Sequence, residues 1–241
     1  MNVFKFGGAS VKDAEGVKNV ATVLQQTGHT NLVIVVSAMG KMTNALEGVV
    51  SCYFRTPEKV KEAIEDIKMY HITIARGIFT HASASIFKHI DTLLQELSSF
   101  LNTNKSTNHA YVYDQVVGYG ELLSTAIIAA YLEQVSIKNN WIDIRTCIAT
   151  DSTFRDATVD WETTQQQIIK NIPTTGITIT QGFLGAEATN NFTTTLGREG
   201  SDYTAAILAY CLNAASVTIW KDVPGVLNAD PRYFKSTTLL H

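Results

Sequence analysis

The chain has 241 residues, 45% hydrophobic and 17% charged, which suits one large α/β core or two small ones and excludes a disordered protein. A net charge of −3 with no Lys/Arg run argues against a nucleic-acid partner, so any anionic ligand has to be held locally. The N-terminus runs into a strand-like alternation without a leader, and no apolar stretch approaches the roughly 18 to 20 residues of a membrane span, so no membrane partner is expected. Cys52, Cys147 and Cys211 lie in no paired spacing and read as reduced, mostly buried thiols of a cytoplasmic protein. His29, His71, His81, His89, His109 and His241 form no metal-ligand pattern, and no protein-built metal site is expected.

In chain order the pattern predicts a strand at Val3–Phe6, a helix at Ala14–Gln26 and a strand at Leu32–Val36. Helices follow over Thr43–Phe54, Pro57–Phe79 and Ser83–Leu101. The polar run Asn102–Asn108 reads as a flexible tip. Beyond it come a helix near Glu121–Glu133, a strand near Trp141–Arg145, a helix near Trp161–Asn171, and strands near Ile177–Thr180 and Thr193–Leu196. An apolar helix, Ala205–Leu212, and a strand, Ser216–Trp220, close the series. Such alternation is the mark of βαβ units on a mostly parallel sheet, with a helical insertion in the first half. Leu32–Val36 shows no polar alternation, so it belongs mid-sheet, covered on both faces.

Four loops carry candidate chemistry. Lys5 ends a strand before the Gly7-Gly8 turn, where amides can converge on a phosphate without Cβ obstruction; Ser10 and Asp13 fit a capping box there. Val36 opens into Ser37 and Thr43, which read either as caps or as ligands at the carboxyl end of a strand. Glu121 stands in the first turn of an apolar helix, favoured by the dipole or placed to receive an ammonium group. Gly197-Arg198-Glu199-Gly200-Ser201-Asp202 combines a guanidinium fork with a helix entry, which suits a small carboxylate or phosphate; Ser201 or Asp202 could equally be a plain cap. A further turn, Trp220-Lys221-Asp222-Val223-Pro224-Gly225, could wall a nucleoside, with Arg232 beyond it.

Taken in order, K-F-G-G-x-S, V-V-S-A-M-G-x-x-T-N, G-x-G-E-x-x-S, G-R-x-G-S-D-x-[TS]-A and D-V-x-G-x-x-x-x-D-P-R resemble the aspartate kinases of the amino acid kinase superfamily, from Lys5 to Arg232. The resemblance implies a three-layer α/β/α sandwich that uses MgATP to phosphorylate the β-carboxylate of L-aspartate, the first step toward lysine, threonine and methionine. By similarity, Lys5 with Gly7, Gly8 and Ser10 would hold phosphates, and Asp202 would orient Lys5 or the metal. Ser37, Thr43 and Ser201 would sit near the substrate, Arg198 would grip its α-carboxylate and Glu121 its ammonium. Trp220, Lys221, Asp222 and Arg232 would line the nucleotide site. Glu199 and Lys221 stand where many members carry Gly and Thr. Aspartate kinases continue into a segment similar to F-G-A-K-V-L-H-P and two regulatory ACT domains, through which homo-oligomers usually form. Residues 1–241 are therefore expected to be a catalytic domain shortened at its C-terminus, with the ACT domains absent. Kinases of acetylglutamate, glutamate or carbamate, and a non-catalytic binding fragment, are the alternatives.

Overall fold

The computed structural model describes all residues except 29, 80–84, 222–224, 226, 232 and 241. Strand β1 (Asn2–Phe6) leads through a short 3-10 turn to α1 (Ala14–Thr27), followed by β2 (Asn31–Val36) and α2 (Met42–Arg55). The helical insertion comprises α3 (Val60–Ile78), α4 (Ser85–Thr103), α5 (His109–Val117) and α6 (Tyr119–Gln134). Then come β3 (Asn140–Ile142), β4 (Ala149–Thr150), α7 (Trp161–Asn171), β5 (Gly176–Gln181), β6 (Leu184–Glu187), β7 (Thr193–Thr195), α8 (Gly200–Cys211) and β8 (Ser216–Trp220).

The main sheet has the order β3-β5-β2-β1-β8, parallel throughout, and β4-β6-β7 form a second, mixed sheet. β2 is the middle strand, and Leu32 to Val36 are fully buried. Its residues alternate between two cores. Leu32, Ile34 and Val36 join Phe4 and Phe6 in a cluster with α1 to α6, whereas Val33 and Val35 join Val3 in a cluster with α7 and α8. Sheet and two helical layers make the expected three-layer sandwich. Each such buried aliphatic side chain contributes roughly 1.5–3 kcal/mol.

Several local expectations change. α5, β4 and β6 were not anticipated, and the strand expected over Trp141–Arg145 stops at Ile142, where Asp143 caps a 3-10 turn by accepting from the Arg145 amide. The apolar helix begins earlier, at Gly200. The polar run is held in place: Asn104 accepts at its carbonyl from the Tyr53 hydroxyl at 2.9 Å, and Asn108 caps α5. No Ser10/Asp13 capping box forms. Asp13 alone caps α1, accepting from the Gly16 amide at 2.8 Å, while Ser10 sits in the 3-10 turn. Contrary to the expectation that no apolar stretch reaches membrane-spanning length, His109–Gln134 is long and apolar enough to cross a membrane. Most of it is buried inside the fold, as a core helix pair must be. All three cysteines are free, Cys147 and Cys211 buried and Cys52 half-buried.

Candidate active site

Because β1, β2, β5 and β8 are parallel and in register, with Phe6 opposite both Val36 and Trp220, their carboxyl ends lie on one edge of the sheet. The loops that follow face one crevice, where ligands of open α/β sheets collect. A cavity of about 420 Å³ opens there, and it is lined by Lys5, Ser37, Thr43, Glu121, Arg198, Ser201 and Asp202. Seven residues from four separate sequence motifs thus meet in one place.

Strand alternation turns Lys5 toward α8, on the face opposite Phe4 and Phe6. Its ammonium lies 2.6 Å from Asp202 Oδ1, an ion pair between a buried lysine and a half-buried carboxylate. Asp202 is in the first turn of α8, where the helix dipole also favours a carboxylate. The Gly7-Gly8 turn and the Ser37–Gly40 turn press together: the Gly40 amide donates to the Gly8 carbonyl at 2.9 Å, and a Cβ on Gly8 would collide with the Ala38 carbonyl oxygen. Only glycine allows this approach.

Glu121 is 2% exposed. Its Oε1 accepts from the Ala38 amide at 3.0 Å, while Oε2 is buried without a partner among the described residues. Burial is the main cause that pushes this carboxyl up to about 8, so it is protonated at neutral pH in the ligand-free site. A carboxyl with one satisfied and one free oxygen fits an incoming cation.

The capping alternatives fall away. α8 is capped by Glu199 and α2 by Lys41, each without a side-chain cap bond. Ser201, Asp202 and Thr43 lie inside their helices, and Ser37 lies before α2. Arg198 and Glu199 are exposed at the rim. Glu199 has φ 56°, in the left-handed region, which is the physical reason a glycine suits this position and costs a side-chain-bearing residue about 1–2 kcal/mol.

Three lining residues were missed: Tyr113, Arg155 and Phe183. For Tyr113 the available signal was Asn108 followed by apolar residues at 112, 116 and 117, an N-cap before a short amphipathic helix. Arg155 stands in a polar loop where no spacing points to it. Nearby Asp114 is fully buried and accepts three bonds, from the Arg155 amide, the Thr195 amide and the Thr195 hydroxyl. Desolvation nonetheless raises its carboxyl to about 6.

The expected nucleotide residues are partly separate. Ser10, Trp220 and Lys221 line a second cavity of about 220 Å³, together with Phe6 and Asn19. The Trp220 ring stacks on Phe6 at 6.1 Å and meets Phe4 edge-on at 5.5 Å, and its buried indole N–H has no partner among the described residues. Gly7 and Gly8 follow Phe6 directly, so the turn stands between Lys5 of the first cavity and Ser10 of the second. Asp222 and Arg232 lie outside the described residues.

The whole chain, residues 1–241, matches the model of the amino acid kinase family. Lysine-sensitive aspartokinase 3 of Escherichia coli is 33% identical over 95% of this chain and 51% of that protein. Aspartokinase 1 of Arabidopsis thaliana chloroplasts is 34% identical over 98% of this chain and 42% of that protein. The crystal structure of E. coli aspartokinase III in complex with aspartate and ADP superposes with a TM-score of 0.89 at 30% identity, covering 100% of this chain and 53% of that one. The chain spans about half the length of the curated relatives it matches.

Proposed function

Because this chain belongs to the amino acid kinase family, we propose that it transfers the γ-phosphoryl group of ATP to the β-carboxylate of L-aspartate. The observation that carries this reading is the convergence of a buried, half-satisfied Glu121, an exposed Arg198 and a Lys5–Asp202 ion pair on one cavity. A free amino acid offers an ammonium to the first and a carboxylate to the second. An acetylated amine would leave Glu121 against a neutral amide. The solved relative with aspartate and ADP supports the same pair of ligands.

A substrate carboxylate, with an ordinary pKa near 3.9, is ionised at neutral pH and needs no general base. The barrier lies elsewhere. Two close unit charges repel by roughly 4 kcal/mol at an effective dielectric of about 20, so the site has to position and neutralise. Lys5, fixed by Asp202 beside the Gly7-Gly8 turn, is placed to draw negative charge off the transferring phosphoryl group. Arg198 holds the α-carboxylate through a bidentate fork. Glu121 ionises as it receives the ammonium, and Ser37, Thr43 and Ser201 supply hydroxyls along the carbon skeleton. Ser10, Trp220 and Lys221 line the cavity assigned to the nucleotide.

The residues fit Mg²⁺ as a companion of ATP. Among the described residues no group of three or more His, Cys, Asp or Glu forms a metal cage, and Mg²⁺ needs only one or two carboxylates beside phosphate oxygens and water. Asp202 is the carboxylate at hand, and the ion would supply further charge neutralisation. Three free thiols support a reducing, cytoplasmic setting.

The test is to incubate the protein with MgATP and L-aspartate and trap aspartyl phosphate as its hydroxamate, with glutamate and N-acetylglutamate in parallel. Aspartate-specific hydroxamate is expected. Product from another acceptor alone, or from none, overturns the reading.

A further inference from the structure

Arg155 lies in the loop between β4 and α7 with φ 76°, a left-handed backbone that disfavours any residue carrying a Cβ. Two contacts hold it there. Its amide donates to the buried Asp114 Oδ2 at 2.9 Å, and its guanidinium carbon lies 4.3 Å from the centroid of the Tyr113 ring. The ring is fixed in turn, because the Tyr113 hydroxyl donates to Glu47 Oε1 at 3.0 Å. Among the described residues no carboxylate forms an ion pair with this guanidinium, which lines the same cavity as Arg198.

Asp114 also binds the end of β7, the strand that leads into the Arg198 loop. It accepts from the Thr195 amide at 2.9 Å and from the Thr195 hydroxyl at 2.8 Å, three residues before Arg198. The two backbones run side by side: a Cβ on Gly197 would collide with the Asp156 carboxylate and lie 3.6 Å from the Arg155 carbonyl oxygen. Lys5 is already paired with Asp202 beside the Gly7-Gly8 turn, where the phosphoryl group and the reacting carboxylate meet in the reading above. The carboxylate at the other end of the amino acid is left for the guanidinium groups. One that is already stacked and fixed at its backbone loses little freedom when it binds.

We infer that Arg155 is a second guanidinium for the α-carboxylate of the amino-acid substrate, shared with Arg198, and that Asp114 is the positioning residue that fixes both. This rests on the aspartate reading above.

The test is the Arg155→Gly variant. Glycine accepts the left-handed backbone, so its Tm should equal or exceed that of the wild type. Its KM for aspartate should nonetheless rise about tenfold or more, as the loss of a charge-assisted hydrogen bond requires, while the KM for ATP stays within about twofold. β-Alanine, the aspartate skeleton without its α-carboxylate, should inhibit wild type and variant with equal Ki. Asp114→Asn should raise the aspartate KM without changing that for ATP. An aspartate KM within about twofold of wild type in Arg155→Gly, or β-alanine affinity falling by the same factor as aspartate affinity, overturns the inference. Wild-type protein that forms no aspartyl hydroxamate removes the underlying reading and this inference with it. An active wild type with an unaffected Arg155→Gly removes this inference alone.

Discussion

The two cavities on the carboxyl edge of the main sheet flank the same Gly7-Gly8 turn, yet they hold their polar groups differently. In the larger one Lys5, Glu121 and Ser201 are buried, and Lys5 and Glu121 are aligned by named partners on other elements. In the smaller one Lys12, Asp13, Asn19 and Lys221 are exposed, and the ring that shapes the wall, Trp220, packs on Phe4 and Phe6. Preorganised buried groups discriminate between ligands, because a wrong ligand leaves them unsatisfied. A shelf of solvated groups around an apolar wall discriminates little. The preorganised groups thus lie in the larger cavity, which in the proposed reading puts selectivity at the amino-acid end.

Substitutions should expose that asymmetry. The largest effect is expected from Lys5→Ala, which should lower kcat by on the order of a thousandfold or more, since it removes charge stabilisation from the transferring group. Circular dichroism should report an intact fold, and near wild-type turnover would break the asymmetry outright. Arg198→Ala should raise the aspartate KM by about ten- to a hundredfold and leave the ATP KM nearly unchanged; equal changes in both would show that the two ends are not separate.

Glu121 offers a sharper probe. With its carboxyl at about 8 in the free site, it holds a proton at pH 7 and gives it up as the ammonium arrives, so calorimetry in buffers of different ionisation enthalpy should record close to one proton released. The release should vanish above about pH 9, where the free site is already ionised, and at every pH in Glu121→Gln. No proton release at pH 7 in the wild type would remove the ammonium role. The smallest effect belongs to the nucleotide end: Lys221→Ala should change the ATP KM by about two- to threefold at low salt and less at high salt, as an exposed charge does. A tenfold change there would mean that the shelf selects as strongly as the cavity.

The sequence revealed the centre of the main sheet because β1, β2 and β5 are covered on both faces, whereas the edge strands β3 and β8 are largely exposed; Leu32–Val36 could hardly be anything but a central strand. β4 and β6, two and four residues long, left no such pattern. Of the candidate site, Lys5, Ser37 and Arg198 were legible because their motifs coincide with the ends of β1, β2 and β7, and Glu121 because it opens an apolar helix. Arg155 was invisible because its placement comes from a left-handed backbone and from Asp114, 41 residues away, neither of which has a local signature. The cap expected at Ser10 and Asp13 failed for a related reason: the chain spends Ser10 on a tight turn and starts α1 only after Asp13.

The place of β1 between β2 and β8 has a consequence for how this protein is made. Asn2 pairs with Leu32 on one side and with Ser216 on the other, and the Ser216 hydroxyl donates to the Asn2 side chain across 214 residues. During synthesis β1 can dock on β2 early, but its second edge stays open until residues 216–220 have left the ribosome. For that interval Lys5 sits on an unfinished sheet edge, and a nascent chain arrested before residue 216 presents a strand able to pair with a neighbour.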